Sequence, residues 1–128
     1  MLHRFRFALL LVVAALGLVV MPASPASAHF DLAKSKPANG ATVSGPLTEI
    51  RLVFTRVGEP VGSGFEFFDD TGRSVPAVAD TPDDGTTWVV RPQTDIASGE
   101  VGLAWKLAAP DGHPKSGTIT VTVAPPSR

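Results

Sequence analysis

Three residues of this chain carry donor atoms whose types and setting point to chemistry: His29, Asp111 and His113. His29 follows Ala26-Ser27-Ala28, a small-x-small run of the kind a signal peptidase cuts. Upstream lie a basic start, His3, Arg4 and Arg6, and an apolar stretch from Ala8 to Val20, so residues 1–28 read as a secretory signal peptide. Cleavage after Ala28 makes His29 the first residue of the mature protein, with a free α-amine and an imidazole on one Cα. Together those two nitrogens chelate one metal ion. The other histidine left after cleavage is His113, in Asp111-Gly112-His113-Pro114.

Copper(II) prefers nitrogen and oxygen donors in a near-planar arrangement and heads the divalent affinity order. The amine and ring of His29 supply two adjacent positions, the ring of His113 a third and the Asp111 carboxylate a fourth. Asp111 and His113 are two residues apart, so in an extended segment both side chains leave the same face. Gly112 between them brings no side chain to crowd an ion, and Pro114 biases His113 toward an extended conformation. Taken alone, Asp-Gly is a common turn dipeptide, and a histidine beside it is ordinarily solvated. It is the pairing with an N-terminal histidine that points to one copper(II) ion. A structural zinc site would want four protein ligands, usually including cysteine.

Removing 28 of the 128 residues leaves 100, enough for one small domain with a single core. There is no cysteine, which excludes disulfides, thiolate metal sites, a thiol partner and a nucleophilic cysteine. Without Arg4 and Arg6 the mature chain carries 9 basic against 12 acidic residues, a balance that argues against nucleic acid as a partner. The 13 residues from Ala8 to Val20 are too few to span a bilayer. An uncleaved anchor is the competing reading, and Pro22, Pro25 and the small-residue site fit removal better.

These donors must be positioned by short strands. Twelve glycines and twelve prolines, with no long 3.6-residue periodicity, exclude a helical domain. Strands are expected at Glu49–Phe54, Phe65–Phe68, Thr86–Arg91, Val101–Leu107 and Thr118–Val123, with turn clusters every 10 to 15 residues. Trp88, Trp105, Phe54, Phe65 and Phe67 are the expected core. The pairs Asp69-Asp70 and Asp83-Asp84 sit beside glycines without the spacing of a calcium loop, so they read as solvated turns. The tail, residues 125–128, is expected to fray. The fold class is all-β, a small Greek-key β-sandwich or barrel.

Several segments resemble the CopC family of exported copper-resistance proteins. His29 follows an Ala-rich cleavage site, and Ser35-Lys36-Pro37-Ala38-Asn39-Gly40-Ala41 is similar to the family's Ser-x-Pro-Ala-x-Gly stretch. Ile50-Arg51-Leu52-Val53-Phe54 resembles its first long strand, and Trp105 followed by Asp111-Gly112-His113-Pro114-x-Ser116-Gly117 resembles its closing signature. The resemblance implies about seven strands in a cupredoxin-like or immunoglobulin-like sandwich spanning residues 29–124. It also implies His29, Asp111 and His113 as the copper(II) ligands. Two departures stand out. Some members carry a glutamate near the metal just after that strand, where this chain has Arg56, with Glu59 close by. Others carry a methionine-rich loop for copper(I), whereas Met1 and Met21 here both lie in the expected leader.

The expected function is a non-catalytic carrier or buffer of copper(II), periplasmic or extracellular, monomeric, and passing its ion to a membrane copper transporter. A small copper oxygenase with an N-terminal histidine brace is one alternative. Against it, 100 residues leave little room for a broad substrate face, and the chain has no tyrosine to line one. A metal-free adhesion sandwich is the other, separated from both by a copper titration.

Overall fold

Alternation of large apolar and polar residues decides where this chain becomes strand. In Ile50–Phe54 the apolar Ile50, Leu52 and Phe54 point inward and are buried while Arg51 between them is exposed. The same alternation runs through Val101, Leu103, Trp105 and Leu107, and through Ile119, Val121 and Val123, all of them buried. The computed structural model describes residues 29–125, so the expected leader and residues 126–128 of the expected tail lie outside the described residues.

Eight strands follow one another: β1 (Leu32–Lys36), β2 (Thr42–Ser44), β3 (Ile50–Phe54), β4 (Glu59–Phe68), β5 (Ser74–Asp80), β6 (Thr87–Pro92), β7 (Gly99–Ala108) and β8 (Pro114–Ala124). No helix occurs among the described residues. The hydrogen-bonded order is β1-β3-β6-β5-β4-β7-β8-β2, a single sheet that curls around one core. The pairings β3–β6 and β4–β7 join strands that are not neighbours in sequence, as the crossing connections of a Greek key do. All five expected strands are present. The sequence pattern passed over β1, β2 and β5.

β5 makes the corner. Its first part, Ser74–Pro76, pairs with β4, and its second, Ala77–Asp80, pairs with β6. Pro76 stands where the partner changes, a place where a ladder can spare one N–H. β1 and β2 form the two edges. β1 is protected from pairing with other chains by an irregularity between Leu32 and Lys34 and by its two exposed lysines. β2 is only three residues long.

The five expected core aromatics are all buried within one hydrophobic cluster. Phe65 tilts against Trp88 with ring centroids 5.3 Å apart, and the Trp88 Nε1–H donates to the Gly85 carbonyl at 3.1 Å. Phe54 meets Trp105 edge-on at 5.0 Å and stacks on Phe30 at 5.1 Å. Phe30 in turn borders the surface that carries His29 and His113.

Candidate metal centre

Asp111-Gly112-His113 occupies the turn between β7 and β8, whose ladder runs up to the Ala108–Pro114 pair. This corrects the expectation of an extended segment. The Gly112 N–H donates to the Ala109 carbonyl at 2.8 Å, and the Ala109 N–H donates to the His113 carbonyl at 2.9 Å, which closes the turn. Gly112 has φ of 88°, a left-handed conformation that explains glycine at this position. The turn brings the two side chains together in a different way from a strand. Asp111 Oδ1 accepts the His113 backbone N–H at 3.0 Å, and Oδ2 lies 3.1 Å from His113 Nδ1.

Both side chains remain open to solvent, His113 at 85% and Asp111 at 65% of full exposure. The His113 backbone N–H, and after it the His113 ring, hold the Asp111 carboxyl below the usual carboxylate range, outweighing desolvation. Asp111 is therefore an anion at neutral pH. The 3.1 Å between Oδ2 and Nδ1 is close to the roughly 2.8 Å separating adjacent corners of a square whose metal–donor bonds are about 2.0 Å.

His29 reaches the same region by another route. Phe30 is buried and stacked on Phe54, and its ring lies within 2.7 Å of where a side chain on Gly58 would begin, so only glycine admits it there. Thr55 Oγ1 donates to the His29 carbonyl at 3.1 Å and accepts the Asp31 N–H at 3.0 Å. The Thr55 N–H donates to the Asp31 carbonyl at 2.9 Å. The Asp31 carboxylate then pairs with the Lys115 ammonium on β8, two residues beyond His113. Chiefly through that contact, Lys115 holds the Asp31 carboxyl below its ordinary range.

The outcome is an open cleft of about 210 Å³ shared by His29, Asp111 and His113, with Phe30, Ala109, Pro114 and Lys115 as its walls. The donors share the cleft without yet converging. Among the described residues no three of His, Cys, Asp and Glu stand close enough to hold a metal ion as they are. In the uncut chain the His29 nitrogen is bonded to Ala28 as an amide, so this arrangement lacks the amine of the expected chelate. Glu59 lines a neighbouring depression of about 250 Å³ with Val57, Pro110 and Gly112, apart from the cleft that holds the histidines.

The two aspartate pairs behave as turns. Asp69 Oδ1 accepts from Thr71 N, Thr71 Oγ1 and Arg73 N at 2.9, 2.6 and 2.9 Å. Asp83 accepts from Thr86 Oγ1, Thr87 N and Thr87 Oγ1 at 2.6, 2.7 and 2.7 Å. Phe30, Asp31, Thr55 and Lys115 escaped sequence reasoning. Phe30 alone left a signal, an aromatic directly after His29 and ahead of a polar stretch.

The sequence model of the CopC domain matches residues 32–124, starting three residues after His29. Copper resistance protein C of Xanthomonas campestris pv. juglandis is 33% identical over 110 residues, covering 80% of this chain and 86% of that protein. Among solved structures, CopC from Methylosinus trichosporium OB3b superposes with a TM-score of 0.67 at 24% identity, over 78% of this chain and 98% of that one. PcoC, a methionine-rich copper resistance protein from Escherichia coli, superposes with a TM-score of 0.61 at 23% identity, over 75% and 99%. At these identities the two structures bear on the fold alone, which this chain shares with them over most of its length. The domain match and the Xanthomonas relative settle the family: this chain belongs to the CopC family.

Proposed function

We propose that the mature protein is an exported, non-catalytic carrier or buffer for one copper(II) ion. The ion is held by the α-amine and ring of His29, the ring of His113 and the Asp111 carboxylate. The observation that carries this reading is the shared cleft: His29 is anchored beside a carboxylate–imidazole pair at 3.1 Å. The donor set supports copper(II) in particular, since nitrogen and oxygen donors suit it and the chain beyond residue 28 offers no sulfur. PcoC is described as methionine-rich, and this chain departs from it there. The open cleft suits an ion that is handed on, and a membrane copper transporter is the proposed recipient. The leader-like residues 1–28 support a periplasmic or extracellular location, where the protein, proposed to be a monomer, meets copper after export.

The test compares protein beginning at His29 with protein carrying one extra residue before it, each titrated with copper(II) against a competing chelator. The extension moves the amine off the histidine and breaks the chelate, so affinity should fall by at least about 100-fold. Binding should also weaken with acid in the cut form, because the amine, with an ordinary pKa of about 7.7–8.0, must lose a proton to bind. Equal affinities in the two forms would overturn the chelate.

A further inference from the structure

We infer that Thr55 is a positioning residue of this copper site, holding the His29 main chain so that its donors face the Asp111–His113 turn. The inference rests on the copper reading above and concerns a residue that contributes no donor to it. The β1–β3 ladder begins at the Leu32–Phe54 pair and by itself does not reach His29. Thr55, the residue after β3, carries the pairing onward with three hydrogen bonds. Its hydroxyl donates to the His29 carbonyl and accepts the Asp31 N–H, and its own N–H donates to the Asp31 carbonyl. Phe30, between those two residues, is fastened to Phe54, and the Asp31–Lys115 ion pair ties the same segment to the strand that follows His113.

A chelating residue at a free chain end must be ordered before it can share an ion with His113, and ordering backbone is costly. Anchoring residues 29–31 to both β3 and β8 meets that cost during folding, and binding gains the difference. Thr55 supplies the part of the anchor that touches His29 itself. Its hydroxyl makes two of the three bonds, so a side chain of the same shape without the oxygen loosens His29 while leaving the donors intact.

The experiment uses protein beginning at His29 and measures copper(II) affinity for wild type, T55V, T55S, H29A and the H29A/T55V double variant. T55V is expected to weaken binding roughly ten- to thirty-fold, the loss of about two hydrogen bonds, with the electron paramagnetic resonance spectrum of the bound ion unchanged. T55S restores the hydroxyl and should bind within about threefold of wild type. In the H29A background, Thr55→Val should cost clearly less than in wild type, because the ring it positions is gone and only the amine of residue 29 is left to orient. Melting of the metal-free variants verifies folding, and Thr55→Ala provides the same comparison should the valine prevent it. Wild-type affinity in T55V, or an equal loss in both backgrounds, would overturn the positioning role while leaving the copper reading intact. Failure of the wild type to bind copper(II), or H29A binding as tightly as wild type, would overturn the copper reading and this inference with it.

Discussion

Phe30 lies flat on Phe54, with the ring planes 9° from parallel and the centroids 5.1 Å apart. This contact makes the residue next to His29 part of the hydrophobic core, since Phe54 in turn meets Trp105 edge-on. The entry to the cleft is therefore coupled to the packing of β3 and β7. The segment ahead of β1 has no ladder of its own, and here a buried aromatic holds it down.

Phe30→Ala should consequently destabilise the metal-free protein by about 3 kcal/mol, the low end of what removing a buried phenylalanine costs. The urea midpoint should fall with the slope unchanged. Phe30→Leu, which retains most of the apolar volume, should lose much less. A change below about 0.5 kcal/mol for Phe30→Ala would show that the ring is dispensable to the core.

The Asp83 turn should contribute to the acid side of the stability profile. Thr86 Oγ1, then the N–H and hydroxyl of Thr87, hold the Asp83 carboxyl far below its unfolded value of 3.8. A depressed folded value means that the stabilisation is complete above the unfolded one. It fades as pH falls below about 4, when the unfolded chain takes up a proton that the folded chain refuses. Asp69 and Asp31, shifted in the same direction, add to this trend. Asp83→Asn should lower the melting temperature at neutral pH, and the gap from wild type should narrow between about pH 4 and pH 2. A gap that stays constant or widens with acid would contradict the assignment.

How much of this was legible beforehand depended on residue type. Strands β3, β7 and β8 announce themselves because large apolar side chains alternate with polar or small ones, and β6 because Trp88, Val89 and Val90 form an apolar run between turns; these side chains form the core. β1 reads Leu-Ala-Lys-Ser-Lys and looks like a loop, since an edge strand can be mostly polar. β5 only half-buries Val75, Ala77 and Ala79 and contains Pro76, which argues against a strand until the change of partner is seen. Asp111 and His113 were visible because metal chemistry resides in their donor atoms. Their conformation was not, because the Asp-Gly turn preference prevailed over the extended bias set by Pro114. Thr55 and the Asp31–Lys115 pair are ordinary surface residues, and 84 positions separate the two members of that ion pair. Only the folded chain brings them together.

The turn and the proposed ligand role of Asp111 can be separated by substitution. Oδ1 closes the turn on the His113 N–H, and Oδ2, 3.1 Å from His113 Nδ1, is the oxygen that the proposed site would use. Asparagine retains an acceptor for the turn and loses the charge, whereas alanine loses both. Copper(II) affinity should thus fall most for His113→Ala, by more than about 100-fold, less for Asp111→Ala and least for Asp111→Asn, by about tenfold. Water can replace an oxygen donor in part, and nothing nearby replaces the imidazole. An Asp111→Ala loss exceeding that of His113→Ala would reverse the ranking and make the turn, rather than the ring, the principal determinant. Glu59→Ala should leave affinity unchanged, because Glu59 lines the neighbouring depression.

Oxidation state provides the sharpest test of the donor set. Copper(I) favours soft sulfur ligands, and the only methionines, Met1 and Met21, precede His29 in a chain without cysteine. An amine, two imidazoles and a carboxylate suit the divalent ion, and the carboxylate loses most of its value once one positive charge is removed. Reduction of the bound ion should therefore weaken binding and release copper to a partner that reduces it. The copper(II) form should be faintly blue to violet, without the intense absorption of a thiolate-ligated centre. Anaerobic titration of protein beginning at His29 with copper(I), against a competing chelator, measures the difference directly. Copper(I) held as tightly as copper(II) would mean that the ion is bound by something other than His29, Asp111 and His113.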